Sequence, residues 1–143
     1  MRETRLVRGL ALTTLLLGLG NVLFVGYRIA TYQPPPDDGG TNIAGLIWVI
    51  FVVLGGVVMA GGGAGALYLR FLTPTRWPRR LVAAGLLVSA LAGLAVSVGQ
   101  VGPALGYDVS MPMGMSRTFL LALAGEALVG VGAITELVAG NRP

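Results

Sequence analysis

Four uninterrupted apolar blocks dominate the sequence, at about residues 9–29, 43–69, 81–101 and 118–139. Each is long enough for the roughly 20 residues that carry an α-helix across a bilayer. A backbone in hydrocarbon finds no water, so such a run is expected to pair its N–H and C=O groups within itself, as a helix. Little chain is left for anything else. The fold expected is all-α and integral to a membrane: a four-transmembrane-helix bundle, one membrane domain over 1–143, with connections at about 30–42, 70–80 and 102–117. Composition agrees, with 11% of residues charged where a soluble domain carries about 25%. The 23 glycines do not oppose helix, because helices in membranes use Gly for close approach.

The first block follows Arg2, Arg5 and Arg8 and resembles the start of a secretory signal. Its 21 residues exceed the roughly 7–15 of a signal core. It closes on Gly26, Tyr27 and Arg28 rather than on a small-x-small cleavage site, so a retained span is expected. Four spans place both termini on one side. Eight of the ten arginines flank that side, before the first span, around the central connection and at Arg142, while Arg28 and Arg117 flank the other. Cytoplasmic flanks carry the basic excess, so termini and central connection are expected in the cytoplasm of a cell-membrane protein. The connections holding Asp37, Asp38 and Asp108 then face outward. Residues 33–40, with Pro34, Pro35 and Pro36 before Asp37 and Gly39, read as a stiff polyproline spacer ending in a turn.

The chain has no Cys and no His, which removes disulfides, thiolate chemistry, imidazole acid–base work and the usual zinc and haem ligands. No cofactor is expected. The net charge of +4 is accounted for by arginines flanking the apolar blocks, so topology explains it and nucleic acid does not. The partners expected are the lipid bilayer and other membrane subunits, or further copies of the chain.

Glu126 lies about nine residues inside the fourth block. A carboxyl at such depth costs roughly 2.5–3.5 kcal/mol on insertion scales, so it is expected to carry its proton and to face protein. The positions sharing its helical face at spacings of three and four are Ala122, Gly125, Gly130 and Ala133, a groove of small residues suited to a neighbouring helix. Asn21 falls at a similar height on the first span. The two are expected to form a polar layer, sharing a hydrogen bond if the first and fourth helices touch. A proton or cation site at Glu126 is the competing expectation, since ionisable groups inside a membrane are functional candidates.

The second block places Gly56 with Ala60, Gly61 with Gly65 and Gly62 with Ala66. These three small-xxx-small pairs build a helix for close approach on more than one side. No Lys-Ser/Thr follows the glycines, so they do not form a phosphate loop. In the last connection Met111, Met113 and Met115 alternate. Their thioethers suit Cu(I), although packing against apolar helix ends is the plainer reading. Ser89, Ser97 and Gln100 place polar groups on the third span, able to bond to neighbouring helices or to their own backbone. Ser116 reads as a helix N-cap. Glu136, near the end of the last span, is expected to pair with an arginine at the interface.

Four spans with one buried carboxyl resemble the small multidrug transporters in outline, but their carboxyl belongs to the first helix. A duplicated rotary proteolipid also places a carboxyl in its fourth helix, yet the Gly repeats of its first and third helices are missing. No residue role carries over from either. The function expected is a non-catalytic accessory or structural subunit packing through the Gly-rich second span. The alternative is a small proton- or cation-coupled transporter using Glu126. A membrane enzyme ranks below both, because transfer chemistry needs a second positioned group beside that carboxyl.

Overall fold

The computed structural model describes residues 2–32, 43–69, 76–109, 111–112 and 114–140. The chain is all-helical: α1 (Arg2–Ala30), α2 (Ile43–Leu69), α3 (Arg76–Ala104) and α4 (Met115–Gly140). All four are long and apolar enough to cross a membrane. Helices α1, α3 and α4 run past the apolar blocks into Arg-bearing turns, since helical hydrogen bonding continues after apolarity stops. Pro78 falls in the first turn of α3, where its missing N–H leaves no helical acceptor unpaired. The polyproline stretch and residues 70–75 lie outside the described residues.

The helices close a four-membered ring in which α1 touches α2, α2 touches α4, α4 touches α3 and α3 touches α1. The diagonal pair α2 and α3 meet thinly, and α1 and α4 share no contact among the described residues. Contact registers give the directions. Gly18 meets Gly56 and Ala60, and Gly63 meets Ala11 and Leu15, so α1 and α2 run antiparallel. Gly85 meets Gly125 and Val129, and Gly132 meets Pro78 and Val82, so α3 and α4 do likewise. The two hairpins then lie side by side. Thr14 donates to the Leu86 carbonyl at 3.2 Å and Asn21 to the Gly93 carbonyl at 3.2 Å, both pairs 72 residues apart, so α1 and α3 are parallel. One end of the bundle therefore holds the termini and the other the α1–α2 and α3–α4 connections.

Backbone proximity holds each hairpin together. A Cβ at Gly18 would stand 2.5 Å from the Gly56 oxygen and 2.8 Å from the Ala60 nitrogen. One at Gly125 would stand 2.7 Å from the Gly85 oxygen and would meet the Ser89 hydroxyl. Only glycine allows such approach, which gains dispersion and Cα–H contacts between backbones. The buried interior is correspondingly small in side chain: Ala11, Ala66, Val82, Leu86 and Val129 cluster toward the termini, and Met59, Ala92 and Ala122 cluster at mid-height. Large apolar residues point outward instead, Leu16, Leu23, Leu120 and Ile134 each more than 60% exposed. A soluble protein does not show so continuous an apolar exterior, and the surface fits a lipid bilayer.

The helix ends on the connection side are closed locally. Gly106, at a φ of 82°, takes the left-handed conformation that ends α3 in a Schellman motif, with Tyr107 N–H donating to the Gly102 carbonyl and Gly106 N–H to that of Pro103. At the start of α4 the Thr118 hydroxyl donates to the carbonyls of Gly114 and Pro112 at 2.7 and 3.3 Å. Ser116 was the expected cap, but α4 begins at Met115 and Ser116 lies within it. Gly114, at a φ of 75°, bends the chain earlier than the polar residue suggests.

Candidate functional site

Asn21 and Glu126 belong to two separate polar groups rather than to one layer. The first belongs to α1 and α3. Asn21 is 5% exposed; its amide nitrogen donates to the Gly93 carbonyl, and its oxygen accepts from the Ser97 hydroxyl at 3.0 Å and the Gln100 amide at 3.4 Å. Ser97 and Gln100 sit three residues apart on α3, so both reach the same turn of α1. The Gln100 oxygen is buried with no hydrogen-bond partner among the described residues.

The second group surrounds Glu126. Its carboxyl projects from α4 across the Gly62 position of α2, where any Cβ would overlap Oε2. The Ser89 hydroxyl of α3 is within hydrogen-bonding reach. Oε1 is shielded, with no partner among the described residues. The groove expected around Glu126 is thus partly filled: Gly125 packs on α3 and Ala122 is buried, whereas a Cβ at Gly130 would meet no atom within 4 Å.

Asn21 and Glu126 do not share a hydrogen bond. The pairing required contact between α1 and α4, and these helices are diagonal. Similar height along a span gave no information about which helices are neighbours, and Asn21 found its partners on α3 instead.

The glycine pairs of α2 divide by direction. Gly56 meets Gly18 and Val22 of α1, Gly62 takes the Glu126 carboxyl, and Ala66 is buried at 3% exposure. Ala60 faces α1 through its backbone nitrogen. Gly61 and Gly65 have open space where a Cβ would stand. Gly61, Val57, Ala64 and Tyr68 are all exposed along that side.

Toward the connections a partly open cavity of about 30 Å³ lies between the helices, room for a bare ion or one to two waters. Its lining includes Asn21 and the edge-to-face pair Phe51 and Phe119, whose ring centroids are 4.7 Å apart, with Met59, Met111 and Met115. Met113 lies outside the described residues. Met59 joins this lining from the middle of α2, and nothing in its local sequence sets it apart from a core residue. At the opposite end Arg79 Nε and Glu136 Oε1 stand 3.9 Å apart, with the Glu136 side chain 6% exposed. Comparison with known protein families, curated proteins and solved structures finds no match.

Proposed function

We propose that the chain is a non-catalytic subunit of a larger or homo-oligomeric membrane complex, docking through the outward face of its Gly-rich α2. The observation carrying this is the division of the glycines: Gly56 and Gly62 are consumed within the bundle, while Gly61 and Gly65 leave open backbone on its outside. Lipid chains gain little from bare helix backbone, whereas another helix packs closely against it. The absence of His and Cys supports a role in assembly rather than catalysis. The arginine bias supports a cell-membrane orientation with both termini and residues 70–80 in the cytoplasm. A Gly61→Cys variant in this Cys-free chain tests the docking face. Thiol cross-linking in native membranes is expected to capture a second copy or a distinct membrane protein through position 61 and not through the lipid-facing control Leu23→Cys. Equal capture at both positions, or none at either, counts against it.

A second reading, a proton- or cation-coupled transporter using Glu126, is favoured by its shielded Oε1, which has no hydrogen-bond partner among the described residues. Proteoliposomes under an imposed membrane potential test it with a pH-sensitive dye and with sodium and potassium fluxes. Flux abolished by Glu126→Gln supports this reading; no flux in the unaltered chain sinks it.

A further inference from the structure

Every methionine among the described residues lines one cavity. Met59 comes from α2, Met111 from the α3–α4 connection and Met115 from the first turn of α4. Met59 and Met115 are far apart in sequence, so it is the fold, through the parallel packing of α2 on α4, that sets both at the border of the same cavity. Only five methionines occur in the chain, and an apolar gap between helices is filled as well by leucine.

We propose that Met59, Met111 and Met115 form a thioether site for Cu(I) at the connection end of the bundle. The donor chemistry selects the ion. Thioether sulfur is neutral and soft, which suits Cu(I) and not the hard cations that demand carboxylate or carbonyl oxygen. Among the described residues the cavity lining carries no charged side chain, so a divalent ion would enter without charge compensation, at a desolvation cost well above that of a monovalent one. Phe51 and Phe119 border the same space, and aromatic faces attract a cation without adding charge. Met59 is 3% exposed and packs with Ala92 and Ala122, while Met111 and Met115 are partly exposed. Methionine side chains are flexible enough to close on a small ion without backbone movement. This site is independent of the α2 docking face and of Glu126.

The test is anaerobic titration of the purified chain in detergent with Cu(I) held by the chromophoric chelator bicinchoninate. The chain is expected to withdraw one equivalent and to show a sulfur-only shell by X-ray absorption. Met59→Leu, a near volume-conserving change, is expected to weaken Cu(I) binding by roughly tenfold or more, since even outer-shell changes at metal sites cost that much. Its metal-free thermal unfolding should stay close to that of the unaltered chain, and added Cu(I) should raise the unfolding temperature of the latter alone. If Met59→Leu unfolds, the double variant Met111→Leu/Met115→Leu at the cavity mouth carries the same expectation. Failure of the unaltered chain to withdraw Cu(I), or equal withdrawal by folded leucine variants, overturns the site and leaves the methionines as packing.

Discussion

Asn21 is the most heavily bonded side chain in the interior, tied to one carbonyl and two side chains of α3. Interhelical hydrogen bonds in membrane bundles average about 0.6 kcal/mol and reach about 1.7, so Asn21→Leu is expected to destabilise the bundle by about 1–2 kcal/mol. Unfolding by SDS titration in mixed micelles measures this, and a loss below a few tenths would show that Ser97 and Gln100 find other partners. Local sequence made these groups visible as polar interruptions in apolar runs. It left their pairing open, because pairing depends on which helices are neighbours. Asn21 and Glu126 illustrate the gap: both were recognisable as buried polar residues, and their common height suggested a bond that the diagonal placement of α1 and α4 prevents. Met59 was harder still, since a lone methionine in an apolar helix carries no local mark of the cavity it reaches.

Among the helices, α2 makes the sharpest contrast between glycines that hold the fold and glycines that do not. Helices α3 and α4 meet at Gly85 and Gly125, where an added methyl strikes backbone, and backbone yields less readily than a side-chain tip. Gly125→Ala is expected to cost about 1–3 kcal/mol, the range for overpacking. Gly61→Ala, with open space at its Cβ, is expected to change bundle stability by no more than about 0.5 kcal/mol. The same SDS titration compares them, and equal losses would mean that Gly61 is packed. The apolar block lengths already announced four helices, because continuous apolarity on this scale leaves no other way to satisfy the backbone. Helix ends were less legible: α4 starts at Met115 because Gly114 and Thr118 close its first turn, not because Ser116 caps it.

For the bundle as a unit, ring order and orientation are separately testable on the Cys-free background. Gly62→Cys paired with Glu126→Cys joins α2 to α4, and a short thiol bridging reagent is expected to link them. Asn21→Cys paired with Glu126→Cys spans the diagonal and is expected to stay unlinked; the reverse result would require a different ring order. For orientation, Asp37→Cys is expected to react with an impermeant maleimide on intact cells and Thr75→Cys only after permeabilisation. Opposite labelling would invert the proposed topology while leaving the bundle as described.

If the outward glycine face of α2 docks this chain into a larger assembly, the assembly should survive gentle extraction and depend on that face. Mild-detergent purification of the tagged chain from its native membrane, with native mass spectrometry of everything that co-purifies, reads this out beside a Gly61→Ile variant. The expected result is a stoichiometric partner, either a second copy or another membrane protein, that is lost in a Gly61→Ile chain of unchanged stability. A lone monomer, or an assembly that survives Gly61→Ile intact, would contradict it.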